Sequence, residues 1–175
     1  MGQSLDEKGV GWSYGSIAGV AFGAVLSVLA GHSEKPGAIQ RLLKGYANKR
    51  SVYSERFTVD VEMSTSFYDE IIKGLKQRKD AGSQATDCLS WAEKIGKGRI
   101  DHIVSNKHRR AYERAAQVLG SLVEVYLAMD NESKAAKIFH TYYSEKYRRF
   151  SAFRSEVKTV VMGSDLLRNS GFLAG

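Results

Sequence analysis

The side chains able to do chemistry are few, and their spacing excludes most common reactions. The chain has four histidines, His32, His102, His108 and His140, and one cysteine, Cys88. No two histidines stand in the HxxxH or HExxH spacing that aims a pair of imidazoles at a metal from one helix face, and no Cys-x-x-Cys accompanies them. They read as surface or half-buried side chains, and no metal site is expected. There is no GxxxxGK[ST] phosphate loop, and the glycines between residues 9 and 23 do not follow a strand, so a dinucleotide fingerprint fails on context. Serine, histidine and aspartate are all present, but no spacing singles out a nucleophile. Cys88 lies on an apolar helix face, where a buried, inert thiol is the plain reading. No catalytic residue and no cofactor are expected, and the chain is not read as an enzyme.

The constellation that does stand out is basic and aromatic. Lys107, Arg109, Arg110 and Arg114 gather in one stretch, and Lys146, Arg148, Arg149 and Arg154 in another. The net charge of +7 favours an acidic partner. Two such clusters on one surface can neutralise phosphates, with arginine or tyrosine available to stack on bases. A solvated helix face is the plainer account of the same pattern. Tyr112, Tyr126, Tyr142 and Tyr147 fit an inward stripe without any ligand, and Glu113, Glu124 and Glu145 interrupt the positive field. A protein partner within a larger assembly is therefore the first expectation, and single-stranded RNA or DNA the second.

The elements that must position these residues are two long helices from Ser105 to Val157, joined by a turn at Met129–Glu132. In the first arm Ala111, Ala115, Val118, Leu122, Val125 or Tyr126, and Met129 recur at helical spacing. In the second Ala135, Ile138, Phe139, Tyr142, Tyr143, Tyr147, Phe150 and Phe153 do the same. Ser105 or Asn106 is the expected cap of the first arm, and Asp130 or Asn131 of the second, with Glu132 complementing the helix dipole. A connection this short makes the arms antiparallel neighbours, which brings the two basic clusters together. Small residues (Ala111, Ala115, Ala116, Gly120) are expected to face large ones (Phe139, Tyr142, Tyr143).

Upstream, residues 9–31 carry no charge, and Gly11, Gly15, Gly19 and Gly23 repeat every four residues. On a helix they form a smooth stripe that a second helix can approach closely. The length just suffices for a membrane span. The dense apolar part, Ile17–Ala30, has instead the length of a core helix, and it is read as the central helix of the domain; a membrane is not an expected partner. A turn at His32–Gly37 leads to a short helix that Asn48 stops. Val52–Met63 alternates like a strand but has nothing to pair with, and is read as extended or distorted helix. A helix follows from Phe67 to about Lys79. Another runs from Ala85 to Ile95 and ends at Gly96 and Gly98.

The stretch RRAYERAAQVLGSLVEVYLAMDNESKAAKIFHTYYSEKYRRFSAFRSEV resembles the C-terminal helical region of bacterial SWIM zinc-finger proteins. The matching residues are Arg109, Tyr112, Ala115, Ala116, Tyr143, Arg148, Arg149 and Phe153. GHSEKPGAIQRLLKGY is similar to their upstream helical portion. The zinc-binding Cys-x-Cys…Cys-x-His element has no counterpart in a chain with one cysteine, so zinc is not carried over. The resemblance implies a tetratricopeptide-like helical-repeat region used for binding rather than catalysis.

The expected fold is all-α: antiparallel helix pairs, in a short tetratricopeptide-like stack or bundle ending in a long helical hairpin. Residues 1–10 form a frayed start and 11–160 one domain, with N-terminal helices over 11–98 and the hairpin over 104–160; 161–175 is a loosely held tail. A lone cysteine and the lack of a secretory signal point to a cytoplasmic setting.

Overall fold

The computed structural model describes residues 17–31, 37–54, 67–76 and 85–173. They form helices α1 (Ile17–Leu29), α2 (Ala38–Ser54), α3 (Phe67–Lys76), α4 (Ala85–Ser105), α5 (Tyr112–Ala128), α6 (Glu132–His140), α7 (Ser151–Met162) and α8 (Asp165–Asn169). A 3-10 turn, Arg109–Ala111, leads into α5, and a π-helical stretch, Thr141–Lys146, continues α6. The fold is all-α, with no strand among the described residues. None of the described helices is long and apolar enough to cross a membrane. Gly11, Gly15, the turn over 32–36 and the ambiguous stretch from residue 55 to 63 lie outside the described residues.

The helix at the centre is α5, not α1. Nine consecutive residues of α5, Val118 to Tyr126, are all buried, and Ser121, Glu124 and the Tyr126 hydroxyl are their only polar side-chain groups. A helix with no charged face can be surrounded, and α2, α4, α6 and α7 all pack on it. In α1, Phe22 and Leu26 are fully buried, but Ala21, Ala24, Val25 and Val28 stay partly open. Of the glycine stripe, Gly19 and Gly23 lie within the described residues, where α1 meets α2. A side chain at Gly19 would overlap the Tyr46 ring, and a Cβ at Gly23 would stand 3.0 Å from Leu42 and 3.1 Å from Leu43. Both contacts set α1 close against α2.

Several boundaries differ from those read in the sequence, each for a packing reason. α4 runs through Gly96 and Gly98 to Ser105. Gly96 is a contact surface rather than a stop: a Cβ there would meet Leu122 at 2.7 Å and Phe22 at 3.2 Å. α2 continues past Asn48 to Ser54. The second hairpin arm is broken at Tyr147–Phe150 and restarts as α7. The break is anchored by Tyr147, whose hydroxyl donates to Asp101 at 2.8 Å and contacts Ser105 Oγ at 2.9 Å. Gly120 faces Val160, Ala38 and Leu167, on α7, α2 and α8, instead of the aromatics of the second arm. The tail is docked as far as residue 173: Leu167 is buried, and the Phe172 ring lies 5.4 Å from Phe139 and 6.0 Å from His140.

Candidate anion-binding pocket

Two turns of the same kind bracket α5. At its end, Asp130 takes a left-handed conformation (φ 57), and Asn131 N–H and Asp130 N–H bond back to Tyr126 and Leu127 carbonyls at 2.8 and 3.1 Å. This six-to-one closure caps α5. Asn131 then caps α6, its side chain accepting Lys134 N–H at 3.1 Å, as its residue type suggested. At the end of α4 the pattern repeats with Lys107 left-handed (φ 55): His108 N–H bonds Ile103 O and Lys107 N–H bonds Val104 O, both at 3.0 Å. Asn106 donates to His102 O at 2.8 Å. Asn106 and Ser105 therefore serve α4 and the Tyr147 anchor, and neither caps α5. No side chain caps the 3-10 turn or α5 at this start.

The Lys107 turn reverses the chain so that His108, Arg109 and Arg110 fold back over the last two turns of α4. The result is a pocket of about 490 Å³ lined by Arg99, His102 and Ile103 of α4, His108–Ala111, and Arg114 of α5. Arg99, Ile103 and Ala111 are buried and form the floor. His108, Arg109 and Arg110 are exposed and form the rim, with His102 and Arg114 half-buried between. The two imidazoles lie 5.6 Å apart at 38°. Four guanidinium groups thus converge, and no carboxylate is among the described residues lining the pocket. Burial pushes the Arg99 guanidinium below its ordinary value; the nearby Tyr46 phenol opposes this, and the Arg114 charge adds to it.

Of the first basic cluster, Arg109, Arg110 and Arg114 meet in this pocket, while Lys107 is spent on the turn. Packing does bring the second cluster to the same end of the molecule: Tyr147 reaches Ser105, and the Tyr112 ring lies edge-on to Phe153 at 6.0 Å. Its residues do not enter the pocket. Lys146 pairs with Asp101 at 2.8 Å, and the Arg154 guanidinium covers the Tyr143 ring at 4.5 Å. Arg148 and Arg149 are exposed in the turn that precedes α7. The tyrosines are core residues: Tyr112, Tyr126, Tyr142 and Tyr147 are all buried. Burial first, then hydrogen bonding to Asp101, pushes the Tyr147 phenol up to about 12, against the opposing Ser105 contact.

Arg99 and His102 were not among the residues singled out from the sequence. Ending α4 at Gly96 removed them from any helix. Had the helix been carried through the glycines, Arg99, His102 and Ile103 would stand at i, i+3 and i+4, on one face. No family model matches the chain, and no curated protein or solved structure shows significant similarity to it.

Proposed function

We propose that this protein is a non-catalytic helical binding module, and that the pocket between α4 and α5 holds a phosphate of single-stranded RNA or DNA. The observation that carries this reading is the convergence of Arg99, Arg109, Arg110 and Arg114 on one pocket, with no carboxylate among the described residues that line it. Guanidinium groups bond phosphate oxygens in pairs. The same groups would take the carboxylates of an acidic protein face, the partner class expected first. Two features favour nucleic acid. The depression, of about 490 Å³, is larger than one carboxylate fills. His102 and His108 also bring two imidazole rings, 5.6 Å apart, to the pocket, and unstacked bases stack on such rings.

The test is fluorescence anisotropy of the full chain with 12-nucleotide oligouridylate and oligothymidylate over a salt series. If three phosphates are neutralised, affinity falls about 20-fold between 50 and 200 mM salt, from a single-strand slope of about −0.7 per contact. The double variant Arg109→Glu/Arg110→Glu abolishes binding at every salt concentration. A wild-type chain that binds neither strand at 50 mM salt, or a folded double variant that binds as tightly as wild type, overturns the proposal. Displacement of the strand by polyglutamate at equal charge concentration would return the assignment to an acidic protein partner.

A further inference from the structure

We infer that the binding surface extends beyond the pocket, and that one strand runs from Arg109 and Arg110 across the end of α4 to Arg148 and Arg149. The inference rests on the reading of the pocket as a phosphate site and deepens it by naming the rest of the surface. The pocket is an open depression, and a positively charged surface that tracks a strand has to be open, because the backbone enters and leaves it. Two exposed stretches meet at this end of the molecule: Lys107–Arg110, which links α4 to α5, and Arg148–Arg149, which precedes α7. A chain of contacts joins them. The Tyr147 hydroxyl contacts Ser105 Oγ at 2.9 Å. The next residue, Asn106, donates to His102 O at 2.8 Å and lies 3.3 Å from His102 Nδ1, and His102 lines the pocket. Ser105 and Asn106 are themselves exposed, so the ground between the two stretches is open to a ligand. Arg109, Arg110, Arg148 and Arg149 are all exposed, and among the described residues no ion pair engages them. Arg99 and Arg114 interact with other groups of the chain and add charge from behind. Lys146 pairs with Asp101 at 2.8 Å and so neutralises a carboxylate beside the path. Glu145 is an exposed carboxylate near the second stretch, where the two arginines outnumber it. Guanidinium pairs at both ends of such a path suit successive phosphates of an extended polyanion.

The experiment measures binding of a 12-nucleotide oligouridylate to the full chain by fluorescence anisotropy between 50 and 200 mM salt. It compares wild type with Arg148→Gln/Arg149→Gln and with Lys137→Gln/Lys158→Gln, which removes as much charge from exposed lysines of α6 and α7 outside the two stretches. Loss of two phosphate contacts should lower the steepness of the log–log salt dependence by about 1.4, at about 0.7 per contact. Affinity at 50 mM salt should fall at least about 10-fold. The lysine variant should keep the wild-type steepness, and wild type should saturate at one strand per chain. If the arginine double variant fails to fold by circular dichroism, Arg149→Gln alone should show about half the change in steepness. A folded arginine variant with wild-type affinity and steepness overturns the inference. So does a lysine variant that loses as much, or a wild-type chain that takes up two strands. None of these outcomes touches the pocket reading, which stands or falls with the Arg109→Glu/Arg110→Glu variant. A wild-type chain that binds no strand at 50 mM salt overturns both.

Discussion

Replacing Glu124 tests whether the fold is tied together from the middle of its central helix. Glu124 is 8 % exposed. Its Oε2 accepts Ile39 N–H at 2.7 Å, and its Oε1 accepts the Ser164 hydroxyl at 3.0 Å. Ser164 is fully buried and caps α8 by accepting Leu167 N–H at 3.4 Å. One carboxylate therefore joins α5 to the start of α2 and to the start of α8. Gly37 leaves it room, since a side chain there would overlap Glu124 Oε1. Glu124→Ala leaves the Ile39 N–H and the Ser164 hydroxyl without an acceptor in the interior, at about 1–3 kcal/mol each. Relief of the buried carboxylate offsets part of this, so the net loss is about 2–4 kcal/mol. Glu124→Gln keeps the shape. Its carbonyl oxygen can accept Ile39 N–H, and its amide can donate to the second lone pair of Ser164, but the Ser164 hydroxyl loses its acceptor, so the loss is about 1–2 kcal/mol at neutral pH, smaller than that of alanine.

The pH dependence separates this account from simple cavity formation. Burial pushes the Glu124 carboxyl up, more than the bonds from Ile39, Ser164 and Ala38 and the Arg41 charge pull it down. Its folded value thus lies above its unfolded value of 4.5. The protonated form favours the folded state, and that stability is complete below pH 4.5 and lost as pH rises through the folded value. The glutamine variant lacks this dependence. Its stability relative to wild type should therefore increase from pH 4.5 to pH 8 in urea melts followed by circular dichroism. An alanine variant as stable as wild type, or a glutamine variant as damaged as alanine, refutes the reasoning.

Glu93 titrates in the opposite sense. Burial alone would raise it, but hydrogen bonds from Lys97, Tyr126 and Lys134 and the Lys97 charge outweigh burial and hold it at about 2 instead of 4.5. Glu93→Gln should cost about 1–2 kcal/mol at neutral pH, after allowance for screening at this half-open edge. The difference from wild type should vanish as pH falls from 4.5 toward 2. The two glycines of α4 predict opposite signs. Gly96→Val, meeting Leu122 and Phe22, should lose about 2–3 kcal/mol in urea melts. Gly98→Ala, with nothing within 4 Å, should gain about 0.5–1 kcal/mol. Asn131→Ala removes the cap on Lys134 N–H and should lower the melting temperature by about 2–4 °C.

Hydrophobic spacing made the helices legible, because period and burial agree along α5 and α6: Ala115, Val118, Leu122, Ala135, Ile138 and Phe139 were all read inward, and all are buried. The helix ends were harder, because local propensity competes there with contacts distant in sequence. Gly96 is a helix breaker by type, but Leu122 lies against it from another helix. Ser105 is a cap by type, but Tyr147 engages its hydroxyl. The aromatic repeat through Tyr143, Tyr147 and Phe150 is helical in period. The Tyr147 hydroxyl, held by Asp101, nevertheless fixes a turn there. The site was half legible for the same reason. Arg109, Arg110 and Arg114 are adjacent in sequence, whereas Arg99 joins them only if α4 is allowed to run on.

The pocket is where the chain departs most often from the choices that favour stability alone. Lys107 adopts a left-handed conformation that glycine or asparagine adopts with less strain. The start of α5 has no side-chain cap, although Ser105 and Asn106 lie only a few residues upstream. Arg99 is buried, against the strong preference of arginine for the surface. The Arg114 charge further disfavours its protonated form. Each departure has its own structural cause, and each costs something. All of them fall within the few residues that line one cavity or form its turn. The same kinds of departure occur singly elsewhere, in the left-handed Asp130 and the buried Glu124; around this pocket several occur together.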